Sequence, residues 1–478
     1  MTSTKAAKIA GSSLWLTGSF AVGKLSQLAA QIFLARLLSP KDFGIWGMVL
    51  IVTTLSELFK DSAIAGVLIY KGLEDRKLAN AVYSLGINIS VCMFFVQILI
   101  GFPLSQFFHE PIVFPLIVCE SLVFLIGAGT GSHAAVLQRQ MNFRAVAMSE
   151  IVIKLTGFLI AISCAALSWG VWSFVIADIT MTAVDALLKR WFSGYRFVYH
   201  LIPDASAVAE VRGYITSLVS INLAVYANTN TDNVIVGRLL GAQALGYYGL
   251  GYQLAMLPTF ALSQINRVNF SVLSQKDNEG KRIYICKMLE LYAFFYAPIY
   301  GVAFIISPWL IPLVYGAEWK QTVVIFQIIL IFAYARGFMS ILGTALNALN
   351  KPHINAVINW VLVPLSISGF LVGAHFGGIN GVAIATALVM GIAATVWFWI
   401  AICYSAGWNI RVLLAPVLLP TATIALILVA ILATPLSVNI APYLQPPTLV
   451  LAYGIIISLV SRGQVPQMLI DLVRRTLK

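Results

Sequence analysis

The sequence predicts an all-α integral membrane protein with about 14 transmembrane helices, and three observations support this fold class. First, 60% of the 478 residues are hydrophobic and only 10% are charged, whereas soluble proteins are roughly 25% charged. Second, uncharged runs long enough to cross a bilayer recur along the chain. Third, one group of residues recurs at a constant offset of 202 positions. A large soluble domain, a disordered chain and a disulfide scaffold are therefore excluded.

The individual spans follow from these uncharged runs and from the turns that break them. Residues 352–410 carry no charge and are interrupted at 377–381 by Gly-Gly-Ile-Asn-Gly, which predicts a helical hairpin. Residues 412–461 predict a second hairpin that turns around 435–447. The first apolar stretch continues without a cleavage site and predicts a retained span. The predicted spans are about 10–36, 43–69, 79–104, 112–137, 146–167, 170–189, 214–238, 245–268, 285–310, 321–346, 354–375, 379–403, 413–434 and 447–461.

The distribution of basic residues predicts the orientation of these spans. With the N-terminus inside, 23 of the 30 Lys and Arg residues lie in inner segments and four in outer segments. Cytoplasmic loops carry such an excess of Lys and Arg. Both termini are therefore predicted to be cytoplasmic. The net charge of +12 is interpreted as a topology signal, and no nucleic-acid partner is expected.

An internal repeat divides the predicted spans into two sets. The sequence Arg-Leu-Leu at 36–38, followed by Gly44, recurs at 238–240, followed by Gly246. The same offset places Lys24, Gln27 and Gln31 on Tyr226, Thr229 and Asn233. Because six spans separate the copies, the repeat is parallel. We predict an N-terminal six-helix lobe at 1–200, a C-terminal six-helix lobe at 201–404, and two additional helices with a cytoplasmic tail at 405–478.

Charged residues inside spans are the first candidates for function, because a charge at a helix centre costs at least about 2.5 kcal/mol on insertion scales. Glu120, Glu150 and Asp185 are interpreted as structural, whereas Lys24 and Arg336 lie near mid-span and favour a functional role. The full set is Lys24, Glu57, Lys60, Asp61, Glu120, Glu150, Lys154, Asp178, Asp185, Asp232 and Arg336.

Polar stripes on spans one and seven predict the kind of cargo. Cations bind phosphate, and amide and hydroxyl groups bind sugar hydroxyls, so two such stripes lining a cleft between the lobes suit a phosphate that bears sugars. The alternative is that Asn and Thr simply hold helices together. The candidate substrate-binding residues are Lys24, Gln27, Gln31, Lys154, Asn222, Tyr226, Asn230 and Arg336.

No catalytic pattern accompanies these residues. The five histidines are scattered without H-E-x-x-H, and the chain lacks G-x-x-x-x-G-K-[ST]. No cofactor, metal site or catalytic residue is expected, and ATP-driven transport is not encoded in the chain. A membrane-embedded polysaccharide polymerase or ligase is disfavoured by the short outer loops.

Four motifs resemble the polysaccharide transporter branch of the multidrug/oligosaccharidyl-lipid/polysaccharide (MOP) exporter superfamily, and in particular the colanic-acid-type Wzx flippases. They are ARLLSPKDFGIWG at 35–47, TDNVIVGRLLGAQALGYY at 231–248, YQLAMLP at 252–258 and LVYGAEW at 313–319. The resemblance runs nearly end to end. It places Arg36, Asp232, Gly237, Gly241, Gly246, Tyr248 and Pro258 in motifs that are mostly architectural.

The resemblance implies a function and a place in the cell. Such proteins move an undecaprenyl-diphosphate-linked oligosaccharide across the bacterial inner membrane by alternating access, for exopolysaccharide, O-antigen or capsule synthesis. They are driven by a proton or sodium gradient, and a polymerase and a chain-length regulator are expected partners besides membrane lipids. The acids assigned to ion coupling are Asp232, Asp178, Glu57 and Asp61.

A drug or cation antiporter of the same superfamily is the alternative. Such a transporter is expected to bind its cation through acidic residues. Lys24 and Arg336 favour an anionic cargo instead.

Overall fold

The computed structural model describes residues 23, 25–60, 66–69, 73–433 and 444–460, which are helical nearly throughout and contain no strand. The first unit of the fold, defined below, contains α1 (Leu25–Leu37), α2 (Pro40–Lys60), α3 (Arg76–Phe108), α4 (Val113–Glu120), α5 (Leu122–Ile126), α6 (Thr130–Arg139), α7 (Phe143–Ala166), α8 (Trp172–Ser193) and α9 (Ala205–Leu240). The chain continues with α10 (Ala242–Met256), α11 (Thr259–Ser274), α12 (Asn278–Tyr315), α13 (Thr322–Ala348), α14 (Pro352–Ala385), α15 (Ala394–Ala406), α16 (Ile410–Ala433) and α17 (Gln445–Val460).

Three long helices begin at aspartate caps. The Asp75 carboxylate accepts hydrogen bonds from the backbone N–H groups of Lys77 and Leu78 at the start of α3. Asp204 and Asp277 cap α9 and α12 in the same way. Such a cap satisfies backbone donors that have no partner within the helix. These helices therefore start where the sequence places charged loops between apolar runs.

Within the described residues, seven helices are long and apolar enough to cross a membrane, and an eighth crossing is added if the bent pair 113–126 and 130–139 forms one span. The prediction of an all-α membrane protein is thereby confirmed. The count of fourteen crossings stays a prediction. The predicted span at 10–36 lies mostly outside the described residues, as does the turn predicted around 435–447.

The hairpin predicted at 377–381 is visible in the backbone. Gly378 adopts φ 53° and ψ −138°, which interrupts α14, and glycine reaches such a positive φ without strain. On either side, Gly373 and Gly381 lie so close that a Cβ on either one would overlap the other's carbonyl oxygen. The uncharged run from Pro352 therefore folds back on itself at Gly378.

Contacts divide the chain into two compact units, one ending at Gly249 and the next beginning at Leu250. Helix α9 belongs to the first unit because it packs against α2 and α3. The second unit has its own apolar core, to which Leu289, Phe338 and Phe398 contribute. The lobes predicted at 1–200 and 201–404 describe the sequence repeat and remain a proposal.

An extended segment at 194–200 follows α8 and lies along α3. The Asn80 side-chain oxygen accepts a hydrogen bond from Val198 N–H (3.0 Å), and the Asn88 amide donates to the Leu201 carbonyl (2.9 Å). These asparagines are eight residues apart and so share one face of α3. Two turns of α3 thereby satisfy backbone groups of a segment that has no helix of its own.

Loops predicted to lie on the inner side of the membrane meet at one end of the first unit. Lys77 forms an ion pair with Asp204 (2.9 Å), and Arg139 forms one with Glu74 (2.8 Å). These pairs join the loops at 60–78, 138–145 and 189–214. The contacts agree with placing the three loops on one side of the membrane.

Candidate functional site

The polar stripe on α9 is half-buried and partly engaged in packing. The Tyr226 hydroxyl donates a hydrogen bond to the Ile51 carbonyl of α2. The Asn230 amide donates to the Tyr226 carbonyl (3.2 Å) and to the Thr229 hydroxyl (3.1 Å), and Asn222 lies two turns earlier. Tyr226 thus holds α9 to α2, as the helix-packing alternative expects.

The other polar stripe, which the sequence analysis places on span one, begins near the start of α1. Lys24 lies outside the described residues, Gln27 is exposed and Gln31 is buried. Lys154 is exposed on α7, and its side-chain stem lies beside Gly23. The structure therefore brings Lys154, predicted separately, next to the start of this stripe.

Asp232 and Tyr248 form a buried pair in the first unit. The Tyr248 hydroxyl donates a hydrogen bond of 2.8 Å to Asp232 Oδ2, and Asn233 N–H donates to Oδ1 at 2.9 Å. Asp232 is 3% exposed and Tyr248 is fully buried. Because a buried carboxylate is costly without donors, Tyr248 stabilises the acid that the sequence marked for ion coupling. Sequence reasoning missed Tyr248 in this role, although both residues lie in one motif.

A second group of acids gathers in the first unit around Glu120. Glu120 is the last residue of α4 and is fully buried. Asp178 of α8 and Glu57 of α2, both half-buried, lie within electrostatic range of its carboxyl group. Asp61 lies outside the described residues. Two of the four predicted coupling acids, Asp178 and Glu57, thus each lie within electrostatic range of a buried third acid.

Neutral polar groups line the helices next to these acids. Gln97 of α3 is fully buried and donates a hydrogen bond of 3.0 Å to the hydroxyl of Thr53. Thr53 lies one helical turn before Glu57 on α2 and donates to the Val49 carbonyl (3.2 Å). A side-chain hydrogen bond between α3 and α2 therefore lies in the buried interior of the first unit, one turn from Glu57.

Asp185, which the sequence analysis interprets as structural, forms an ion pair. Its carboxylate forms an ion pair of 2.7 Å with Lys189, one turn later on α8. The pair lies close to the end of the helix. This contact agrees with the interpretation of Asp185 as structural.

In the second unit, Arg336 is half-buried on α13. Its guanidinium group lies over the Phe332 ring, 5.7 Å from the centroid, in a cation–π contact. None of the ion pairs formed by the described residues includes Arg336. No carboxylate in the described part of the chain therefore neutralises the guanidinium group by an ion pair, which suits an anionic cargo.

A tyrosine cluster lies between α12 and α13 in the second unit. The Tyr292 hydroxyl donates to the Tyr334 carbonyl (2.9 Å), and the Tyr334 hydroxyl is 2.8 Å from the Thr421 hydroxyl. Tyr292 and Tyr296 stack with ring centroids 4.4 Å apart. Sequence reasoning missed this cluster, although tyrosines at 292, 296 and 300 show helical spacing.

No group of three or more His, Cys, Asp or Glu side chains among the described residues is arranged to hold a metal ion. The carboxyl groups in the first unit instead form a pair with a tyrosine and a group of three acids.

Comparison with known proteins identifies related sequences. A family model described as a polysaccharide biosynthesis protein matches residues 33–324. The lipopolysaccharide biosynthesis protein WzxC of Escherichia coli (strain K12) is 26% identical over 448 residues, which cover 91% of this chain and 85% of the relative.

Solved structures share the fold. A lipid II flippase, MurJ, in an inward closed conformation superposes with a TM-score of 0.72 at 15% identity, covering 95% of this chain and 99% of that one. An inward-facing MATE family transporter of the MOP superfamily superposes with a TM-score of 0.61 at 14% identity, covering 80% and 96%. The fold predicted from the motif resemblance is thereby confirmed.

Proposed function

Because the chain belongs to the polysaccharide biosynthesis protein family, we propose that it is a flippase for a lipid-linked polysaccharide precursor. It moves an undecaprenyl-diphosphate-linked oligosaccharide across the bacterial inner membrane by alternating access. One observation carries the proposal: a chain of this family has, over 95% of its length, the fold of a lipid II flippase. Its product is used to assemble a surface polysaccharide by a polymerase and a chain-length regulator.

The proposed cargo contacts follow from charge. Arg336 is a membrane-embedded guanidinium, and guanidinium donors match the oxygens of a diphosphate. Lys154, whose stem lies beside Gly23, supplies a further cation, and Lys24, which lies outside the described residues, is assigned the same role from the sequence. Amide and hydroxyl groups that can bind sugar hydroxyls come from Gln27, Gln31, Asn222, Tyr226 and Asn230. The Tyr226 hydroxyl can donate to a sugar only after its hydrogen bond to the Ile51 carbonyl breaks.

An ion gradient is the proposed energy source. Asp232, held by Tyr248, and the half-buried Glu57 and Asp178 are the described acids assigned to ion coupling. Asp61 completes the assignment outside the described residues. Acids inside membrane spans are costly and usually serve ion pathways.

A drug or cation antiporter remains the second candidate, since a MATE transporter shares the fold. The two functions predict different cargo charges. In the described part of the second unit, α13 carries a positive charge near its middle, that of Arg336. This favours an anionic cargo over a cationic drug.

Reconstitution tests the proposed function. The purified protein is placed in liposomes with a fluorescent undecaprenyl-diphosphate sugar, and its movement between leaflets is measured by quenching from outside. We expect leaflet exchange well above that of protein-free liposomes and of liposomes with heat-unfolded protein. Absence of exchange, with a proton or sodium gradient of either direction, refutes the flippase. Movement of an organic cation instead supports the antiporter.

A further inference from the structure

One face of α13 is polar from the middle of the helix to its last turn. Arg336 lies near the middle, and Ser340, Thr344 and Asn347 follow it towards the end of the helix. Residues spaced by three or four positions share one face of a helix. With a rise of 1.5 Å per residue, this face extends about 16 Å beyond Arg336. The predicted orientation of the spans places this half of α13 on the inner side of the membrane.

The polar face of α13 lies outside the core of the second unit. Ser340 and Asn347 are exposed, and Thr344 is half-buried. Phe338, on the other side of the helix, is buried in the core. A charge at mid-span usually faces a water-filled space or a partner, because lipid does not solvate it. Since Ser340 and Thr344 share the face of Arg336, they adjoin the same polar space.

A chain of hydrogen bonds orients the Ser340 hydroxyl. The Tyr284 hydroxyl donates to Asn269 Oδ1 (2.9 Å), and the Asn269 amide donates to Asn266 Oδ1 (3.1 Å). The Asn266 amide in turn donates to Ser340 Oγ (2.6 Å). Both asparagines are buried. A hydroxyl that accepts in this way keeps its own hydrogen for another acceptor. The chain therefore presents Ser340 as a donor on the exposed face of α13.

A second chain of hydrogen bonds ends on the same face, near the last turn of α13. The Asn359 amide donates to Asn355 Oδ1 (2.9 Å), and the Asn355 amide donates to Asn347 Oδ1 over a longer distance of 3.4 Å. Because the Asn347 oxygen accepts, its amide N–H groups are the donors left for a ligand. Asn347 thus repeats, at the inner end of the face, the arrangement of Ser340.

We propose that this face of α13 is a carbohydrate subsite, which binds the sugars of the cargo while Arg336 binds the diphosphate. The inference rests on the flippase function proposed above. Neutral hydroxyl and amide groups match sugar hydroxyls, whereas phosphate is best bound by a cation. The chain has no charged residue between Arg336 and Lys351. A sugar joined to a diphosphate at Arg336 lies along Ser340, and the sugars that follow reach Asn347.

Helix packing alone explains the buried asparagines but not the exposed residues in which the two chains end. The bond from Asn266 to Ser340 joins α11 to α13, and asparagine commonly holds membrane helices together. In a purely packing role, the loss of such a bond lowers stability and leaves ligand preference unchanged. In a carbohydrate subsite, it changes the preference for a lipid that carries sugars.

Two lipids that differ only in their sugars test the subsite. The purified protein in detergent is titrated with fluorescent undecaprenyl diphosphate, and with the same lipid carrying a hexose trisaccharide. We expect the wild-type protein to bind the trisaccharide lipid more tightly by about tenfold. Ser340→Ala and Asn347→Ala should each reduce that affinity by about three- to tenfold and leave the affinity for the bare lipid unchanged. Ser340→Thr keeps the hydroxyl and should retain the preference.

Ser368→Ala is the matched control, because it removes an exposed serine hydroxyl from α14, away from the polar face of α13. It should bind both lipids as the wild-type protein does. The melting temperature of every variant is measured in the same detergent. If Ser340→Ala does not fold, Asn347→Ala and Ser340→Thr decide the outcome.

The possible results separate the subsite from the flippase function. A wild-type protein that binds both lipids equally well overturns the subsite and leaves the flippase standing. The same holds if Ser340→Ala and Asn347→Ala lose affinity for both lipids to the same extent, or lose none. A wild-type protein that binds neither lipid refutes the flippase, and the subsite with it.

Discussion

Gly44 and Gly246 lie 202 residues apart in the sequence and pack backbone against backbone. A Cβ on Gly44 would overlap the Ala242 carbonyl oxygen, and a Cβ on Gly246 would overlap the Pro40 carbonyl oxygen. Pro40 and Ala242 are related by the same offset of 202. The contact is therefore reciprocal: the first turn of α2 meets the first turn of α10 as equivalent copies meet across a two-fold axis.

This contact predicts that neither glycine tolerates a side chain. In Gly44→Ala or Gly246→Ala, the new methyl group strikes backbone, which cannot rotate away, so α2 and α10 separate. We expect the free energy of unfolding to fall by about 1–3 kcal/mol. Thermal unfolding of the purified protein in detergent measures the loss.

Gly249 supplies the matched control for these substitutions. It lies on α10, one turn after Gly246, and nothing lies within 4 Å of a Cβ placed there. Gly249→Ala should leave stability unchanged or raise it by up to about 1 kcal/mol through helix propensity. Equal effects at Gly246 and Gly249 would contradict a close contact between the helices.

The repeat and the helices were predictable from sequence for a simple reason. Spans are specified by local composition, so apolar runs and the glycines at 377–381 predict α14 and its turn without tertiary information. The offset that relates Gly44 to Gly246 was likewise visible. Their direct contact was not, because an offset in sequence does not specify which faces of two helices meet.

The candidate site was predictable only in part. A charged residue within an apolar run is easy to recognise in a sequence, so Asp232, Glu57 and Asp178 were each identified as candidates. Their neighbours in the fold were not identified. The proximity of Asp178 to Glu120 depends on the packing of α8 against α4, which sequence periodicity does not determine. Glu120 was therefore interpreted as structural. Similarly, the hydrogen bond from Tyr226 to Ile51 depends on the contact of α9 with α2.

The hydrogen bond from Tyr248 to Asp232 gives a second prediction. Tyr248→Phe removes a donor from a buried carboxylate without opening a cavity, so the cost is the lost hydrogen bond. We expect the free energy of unfolding to fall by about 1–3 kcal/mol. In Asp232→Asn the same tyrosine substitution should cost less, because a neutral amide needs the donor less. Thermal unfolding of the single and double variants tests this.

Tyr404→Phe is the control for the loss of a tyrosine hydroxyl, because Tyr404 is 90% exposed. Its stability should match that of the wild-type protein. Additive effects of Tyr248→Phe and Asp232→Asn would show that the two side chains do not interact.

The ion pair of Lys77 with Asp204 predicts a pH dependence. A hydrogen bond from the Ser206 hydroxyl, and then the bond from Lys77, hold the pKa of Asp204 well below its usual range. A lowered folded pKa stabilises the protein above the unfolded pKa of about 3.9, and the stabilisation is lost as pH falls through the folded pKa. Stability should therefore decrease on acidification below about pH 4.

Asp204→Asn isolates this contribution. Asparagine still caps α9, since Asn and Asp are comparable N-caps, but it does not ionise. Its melting temperature should be lower than wild type at neutral pH, and the difference should shrink as the pH falls below about 4. The measurement is the melting temperature of both proteins across pH. A constant difference at all pH values would show that the charge of Asp204 does not contribute.

Arg336 gives the most direct prediction for cargo binding. Arg336→Ala removes a guanidinium that no described carboxylate neutralises, so its loss should weaken cargo binding more than folding. A hydrogen bond to a charged group contributes about 1.5–3 kcal/mol, so the dissociation constant for the undecaprenyl-diphosphate sugar should rise about tenfold or more. Arg336→Lys keeps the charge but not the planar fork, and should bind with intermediate affinity. Arg411→Ala, at an exposed cation on α16, should bind as the wild type does.

Binding is measured by fluorescence with the same probe in detergent, together with the melting temperature of each variant. Unchanged affinity in Arg336→Ala would exclude this residue from the cargo site, because alanine has neither a charge nor a hydrogen-bond donor with which to replace the guanidinium group.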